Sequence, residues 1–287
     1  LGDVYKRQVD NIARDLQNMA AGAPEGSLIA QSARSWQQFA TAAEGINLFW
    51  ALSTAPLGVP SMMTWRATES GAAHWLGVMG VSHPLLNLIL LVALSMVGLL
   101  AAAFYFECIA QEVRDGRLDI LALLRRVGLV WIYLLGLALA ALVVSGILCI
   151  PAFGLAMLLA SLNNVIGSAA LALTFSLVFW ILVFGLFTPH AITLGQRGLF
   201  SGLWDSLTLV RRNLGPTTGL VATVLLLYVG LGLVWALPPT DSWMNAVGMV
   251  AHAVVSTALV AATFVYYQDR ARWLREQTAT RTARLRA

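Results

Sequence analysis

Long runs of apolar residues dominate the chain, and short polar segments between them hold most of the charged side chains. Five runs are long enough to cross a membrane, because a hydrocarbon core about 30 Å thick needs roughly 20 apolar residues as helix. A sixth run is interrupted by Pro56 and Pro60, which a span tolerates when neighbouring helices satisfy the freed carbonyl groups. We therefore predict an all-α, polytopic membrane bundle of six transmembrane helices, at residues 46–65, 85–106, 127–150, 168–187, 217–237 and 243–266.

The polar segments before the third and fifth runs share an eight-residue pattern. Residues 119–126 read DILALLRR and residues 205–212 read DSLTLVRR, so both follow D-x-L-x-L-x-R-R. In a helix, Leu203, Leu207 and Val210 lie on one face, while an aspartate at the start and arginines at the end suit the helix dipole. We predict that each copy forms a short cytoplasmic interfacial helix, and that interfacial helix, span, outer turn and span form a repeating unit.

The distribution of charge sets the predicted orientation. Charged residues make up only 11% of the chain, against about 25% in soluble domains, which indicates a membrane protein. With six spans, every Lys and Arg except Arg66 falls on one side, and positive residues mark the cytoplasmic side. We therefore expect a multi-pass protein of the bacterial inner membrane with both termini in the cytoplasm. The formal charge of +4 is divided into short clusters between apolar runs, which does not favour nucleic-acid binding.

The sequence divides into three predicted parts. Residues 1–30 form a polar or amphipathic N-terminal segment, residues 31–268 the six-helix transmembrane domain, and residues 269–287 a basic cytoplasmic tail. The chain begins with Leu1 rather than Met, and residues 1–8, LGDVYKRQ, are similar to translated adapter sequence. We expect these first residues to be an artefact and the natural protein to continue upstream.

One segment carries a family resemblance. Residues 194–216, LGQRGLFSGLWDSLTLVRRNLGP, with a weaker echo at residues 112–128, resemble the cytoplasmic loop and amphipathic helix that precede a span in certain bacterial six-span proteins. These are proteins of the YciC type and the membrane-domain family named after glycerophosphodiester phosphodiesterase. The resemblance implies a helical membrane bundle. It implies no catalytic residues, because the phosphodiesterase name belongs to a separate soluble domain of that family.

Three ionisable residues are candidate pathway residues, because such groups inside a membrane are costly and often functional. Glu107 is expected either to extend into the headgroup layer or to act as a gate or proton-binding carboxylate. His190, which follows Pro189, is either a satisfied histidine at a helix end or a pH-sensitive ligand beside a hinge. His252, within the sixth run, either hydrogen-bonds a neighbouring helix or contacts a substrate.

The sequence contains no P-loop, no G-x-S-x-G and no H-E-x-x-H motif, so we expect no enzyme activity, no metal and no cofactor. The favoured function is a non-catalytic integral membrane protein that organises or partners other membrane components, including a protein partner or a second copy of itself. The alternative is a transporter or permease-like unit for a small substrate, which the repeat and the two histidines favour. Contact with anionic lipid or a protein partner is predicted for a set of cytoplasmic arginines, namely Arg125, Arg126, Arg211 and Arg212.

Overall fold

The computed structural model describes residues 51–53, 58–60, 84–239 and 242–286, and these residues form helices and turns without a β-strand. The helices are α1 (Pro84–Asp115), α2 (Ile120–Leu162), α3 (Asn164–Gly185), α4 (Thr188–Thr193), α5 (Leu199–Arg212), α6 (Leu214–Ala236) and α7 (Met244–Arg286). The predicted all-α class is confirmed for this part of the chain.

Five helical segments are long and apolar enough to cross a membrane, and they correspond to the second to sixth predicted runs. They are Leu88–Asp115, Ile120–Leu162, Asn164–Thr193, Leu214–Ala236 and Met244–Gln277. Their outward surface is apolar, with Leu142, Ile150 and Leu226 each at least 70% exposed. Such a surface suits hydrocarbon, because large exposed apolar patches are rare on soluble monomers. The first predicted run, at residues 46–65, lies outside the described residues except for 51–53 and 58–60.

The two copies of the repeated pattern fold differently. Asp119 caps α2 by accepting hydrogen bonds at Oδ1 from the N–H groups of Leu121 and Ala122, each at 3.0 Å. The helix then runs unbroken into the span, so the prediction of a separate interfacial helix at residues 119–126 is wrong. The second copy is the end of the separate helix α5, which stops at Arg212. Pro216 explains the stop, because a proline at that place cannot hydrogen-bond the carbonyl of Arg212 and its ring would clash with it.

The outer turn between α2 and α3 is shorter than the sequence predicts. The sequence favours a loop at residues 151–167, but α2 continues through Pro151 to Leu162, since a proline costs one helix bond and the residues after it favour helix. The turn lies at residues 163 and 164, where Asn163 ends α2 and accepts at Oδ1 from the N–H groups of Val165 and Ile166. A Cβ on Gly167 would clash with the backbone of Ala160, so glycine permits this close approach.

The short helix α4 lies at the centre of one end of the bundle, where it contacts α1, α2 and α5. The helix α7 packs along α6 and also reaches α1 and α5. It continues without a break across the predicted domain boundary at residue 268, so the described part of the basic tail extends the last span as helix. The buried core is concentrated at this end, around Phe187, Ile192 and Phe264, and several buried polar side chains lie there too.

Candidate functional site

A buried carboxylate on α1 faces an arginine on α2. Glu107 has 0% of its surface exposed, and its Oε1 lies 3.7 Å from Nε of Arg126. Neither carboxylate oxygen has a hydrogen-bond partner among the described residues. Glu107 therefore lies inside the bundle and does not extend out of it towards headgroups. Burying a charge is costly unless it is paired and hydrogen-bonded, so the ion pair with Arg126 offsets only part of the cost of burying Glu107.

The loop between α4 and α5 closes over this arginine. Gln196 adopts φ 52°, a left-handed conformation that costs a non-glycine residue about 1–3 kcal/mol. With its amide oxygen facing the guanidinium groups, Gln196 accepts from Nη1 of Arg126 at 2.5 Å and from Nη1 of Arg114 at 3.0 Å. Arg114 also pairs with Asp115, with 2.9 Å between Nη2 and Oδ2. Polar contacts therefore hold the strained turn against α1 and α2.

A second polar contact fixes the start of α2 relative to α1. Gln111 lies one turn beyond Glu107 on α1 and is buried. Its Oε1 accepts a hydrogen bond from the backbone N–H of Asp119 at 3.0 Å. Because Asp119 caps α2, this contact sets the position from which Arg126 reaches Glu107.

A proline interrupts the helix after α3, and a serine on α5 hydrogen-bonds backbone groups at the interruption. Pro189 has no N–H for the helical ladder, and α3 ends at Gly185 before α4 begins at Thr188. The N–H of Phe187 donates to Oγ of Ser206 at 3.1 Å, and that hydroxyl donates to the carbonyl of Phe184 at 2.7 Å. Ser206 is fully buried, and it joins α5 to the break by one buried and one partly buried hydrogen bond.

His190 lies on α4 within the core, directly after this break. Its Nε2 is 2.8 Å from Oγ1 of Thr263 on α7. Its ring centroid is 4.2 Å from that of Phe264. His190 therefore joins α4 to α7 through Nε2, whereas its buried Nδ1 has no hydrogen-bond partner among the described residues. Both alternatives given for this histidine stay predictions.

His252 lies elsewhere on α7 and does not meet His190. Its ring is 5.3 Å from that of Tyr228 on α6, and its Nε2 has no hydrogen-bond partner among the described residues. His252 precedes Thr263, the partner of His190, by eleven residues, which is about 16 Å along a helix. The two candidate histidines are therefore not brought into one site.

The four arginines predicted as contact residues have different surroundings. Arg125 and Arg211 are exposed on the outside of the bundle. Arg126 points inward to Glu107, with 24% of its side chain exposed. Arg212 lines a cleft of about 1010 Å³, whose wall also contains Arg114, Arg197, Arg272 and Arg275. Arg212 is also exposed, so Arg125 and Arg211 differ from it in lying outside the cleft.

Sequence reasoning missed the residues that organise this end of the bundle. The role of Gln196 depends on a left-handed backbone and on arginines from two other helices, so no local pattern reveals it. The same holds for Ser206, whose partners lie about twenty residues earlier. The ion pair between Arg197 and Asp205, at 3.1 Å from Nε to Oδ2, joins a loop to a helix and has no regular spacing.

Within the described residues, no group of three or more His, Cys, Asp or Glu side chains is arranged to hold a metal ion. The two cysteines, Cys108 and Cys149, are free. The chain matches no protein-family model, and neither the curated proteins nor the solved structures give a match. The resemblance to YciC-type proteins and to the phosphodiesterase membrane-domain family therefore stays a prediction.

Proposed function

We propose that the chain is a non-catalytic, six-span protein of the bacterial inner membrane that organises or partners other membrane components through a basic cytoplasmic face. Both termini would lie in the cytoplasm. The observation that carries the proposal is the gathering of arginines from α1, the α4–α5 loop, α5 and α7 around one end of an apolar helical bundle. Positive residues at one end favour the cytoplasmic side and attract anionic lipid.

The exposed face of α5 supports a place for this helix in the headgroup layer. Phe200, Trp204 and Leu207 recur at helical spacing and are exposed, and Arg211 continues the same stripe one turn later. The opposite face, including Ser206 and Leu209, is buried against the bundle. An amphipathic helix of this kind places its aromatic and apolar side chains among acyl chains and its arginine among phosphates.

Lipid preference in reconstituted bilayers tests the proposal. Spin-labelled phosphatidylglycerol and phosphatidylcholine are compared for the fraction immobilised by the protein. The wild-type chain is expected to prefer phosphatidylglycerol, and the double variant Arg125→Gln/Arg211→Gln to lose much of that preference. The matched control is Arg125→Lys/Arg211→Lys, which keeps both charges and should keep the preference. A wild-type chain without any preference, or a Gln variant that behaves as wild type, would contradict the proposal.

A transporter or permease-like unit is the second candidate, and one observation favours it. Glu107 is a buried carboxylate without a hydrogen-bond partner among the described residues, and such groups mark proton and ion routes in membrane proteins. Proteoliposomes are exposed to mixed small metabolites, and uptake is measured by mass spectrometry with Glu107→Gln, His190→Ala and His252→Ala as variants. Uptake that these changes abolish would support transport. Absent or unchanged uptake would count against it.

A further inference from the structure

The cleft at the basic end is bounded by four elements of the chain. Helix α1 contributes Arg114, the loop after α4 contributes Leu194, Gly195 and Arg197, α5 contributes residues between Asp205 and Arg212, and α7 contributes its stretch from Tyr267 to Ala279. Gly195 makes the close contact between loop and helix possible, because a Cβ there would lie 2.6 Å from the carbonyl oxygen of Ala191 and 3.2 Å from the hydroxyl of Tyr267. The volume of about 1010 Å³ lies at the upper end of the roughly 300–1,000 Å³ typical of small-ligand sites.

The wall of the cleft is strongly positive. Five arginines and one aspartate line it, and Asp205 is already paired with Arg197 at 3.1 Å. Arg212, Arg272 and Arg275 form no ion pair with an acidic side chain in the described part of the chain. Like charges around one cleft repel one another, so the cleft keeps positive charge that an anion would neutralise.

The arginines and the other side chains of the wall indicate which kind of anion the cleft can bind. Guanidinium groups bind phosphate and carboxylate oxygens with two parallel hydrogen bonds, which gives Arg a geometric advantage over Lys. Arg272 and Arg275 are three residues apart and therefore share one face of α7. The rest of the wall is mixed, with Leu194, Leu209 and Leu274 beside Thr208, Tyr267 and Gln268, so the cleft can hold a carbon skeleton together with its anionic group.

We infer that this arginine-lined cleft binds one phosphate-bearing ligand, with Arg212, Arg272 and Arg275 on the phosphate and the leucine side chains of the wall on its organic part. The phosphate belongs either to an anionic phospholipid headgroup or to a soluble phosphomonoester. The inference deepens the proposed function and rests on the basic membrane face described there. It differs from general lipid attraction because it specifies one site and one ligand.

Two assays on the full chain distinguish the two sources of phosphate. In the first, protein purified from an equimolar mixture of phosphatidylglycerol and phosphatidylcholine is examined by native mass spectrometry for retained lipid. In the second, protein in phosphatidylcholine nanodiscs is titrated with glycerol 3-phosphate and with inorganic phosphate by calorimetry. Binding in the first assay alone identifies a lipid headgroup, and binding in the second identifies a soluble phosphomonoester. Binding in neither overturns the inference.

The cleft variant is Arg272→Gln/Arg275→Gln, and its control is Arg117→Gln, which removes a charge from an exposed position that neither lines the cleft nor belongs to the outward pair Arg125 and Arg211. Ligand retention is expected to fall at least about tenfold in the cleft variant, because two charge-assisted contacts are lost, and to stay near wild type in the control. Helicity by circular dichroism checks that both variants fold, and Arg272→Lys/Arg275→Lys should retain part of the binding. Equal losses in the cleft variant and the control would overturn the inference.

The outcomes separate this inference from the proposed function. If the outward pair proves to govern lipid preference while the cleft variant binds as wild type, the proposed function stands and the cleft site is refuted. If the cleft variant alone loses its ligand and the outward pair has no effect on lipid preference, the cleft site stands and the broad lipid-contact proposal is refuted.

Discussion

Removing Arg126 should cost more stability than removing any outward-facing arginine, because its partner is buried. Glu107 lies 3.7 Å from Arg126 and has no hydrogen bond to compensate its burial among the described residues. Removal of one partner from a buried ion pair typically costs about 3–5 kcal/mol. We expect about 3 kcal/mol for Arg126→Gln, the lower end, because Arg126 is partly exposed and Arg114 supplies a second positive charge nearby.

The partner substitution should be milder. In Glu107→Gln the buried charge is gone, and Arg126 keeps its contact with Gln196, so we expect a loss of about 1 kcal/mol. Adding Arg126→Gln to that variant should cost about 1 kcal/mol or less, because no buried carboxylate is left alone. The coupling energy is then about 2 kcal/mol, within the range of contacting pairs.

Equilibrium unfolding in dodecylmaltoside micelles titrated with sodium dodecyl sulfate measures these free energies, with circular dichroism and tryptophan fluorescence as probes. Arg125→Gln is the matched control, since Arg125 is the adjacent exposed arginine and should change the free energy by less than about 0.5 kcal/mol. A role for the buried ion pair is refuted if Arg126→Gln lowers the free energy of unfolding no more than Arg125→Gln does. It is also refuted if Arg126→Gln has the same effect with and without Glu107.

Three further substitutions test the local structure by the same unfolding assay. Gly167→Ala should destabilise by about 1–3 kcal/mol because the added Cβ meets the backbone of α2. Gly154→Ala is the control, and it should be neutral or stabilising because a Cβ there faces open space. Equal effects of the two substitutions would contradict the packing of the turn. Ser206→Ala should cost about 1–3 kcal/mol because it leaves a buried N–H unpaired, and Ser201→Ala, which loses one exposed bond, much less. Asn163→Ala should cost about 1 kcal/mol through the lost cap, and no loss would argue against that turn.

The overall fold could be predicted because each apolar run carries its own signal. A run of about 20 apolar residues needs no long-range information to be read as a span, and the five described runs all form long helices. The ends of the helices are harder to predict. The sequence favours an end of α2 at Pro151, which instead lies within the helix, since a proline marks a boundary only when the residues after it fail to continue the helix.

The candidate site is less predictable because it depends on contacts between elements. The identical spacing of the two D-x-L-x-L-x-R-R copies suggests identical structures, but the residues after each copy decide the outcome, with Pro216 close behind the second copy and no proline at that distance from the first. Glu107 is unusual already from its place directly after an apolar run. Its partner Arg126 is predicted at the surface, because a sequence pattern places a residue on a helix face without showing which helix packs against that face.

Cysteine accessibility in sealed proteoliposomes is the most direct test of the account, whose central claim is a membrane bundle with its arginine-rich end on one side. In a chain with Cys108→Ala and Cys149→Ala, single cysteines are placed at Arg117 and Arg211 at the basic end and at Ser161 beside the outer turn, all of which are exposed. We expect the first two to react with an impermeant maleimide from the same side and the third only from the opposite side. Labelling of all three from one side, or of the first two from different sides, would contradict that claim.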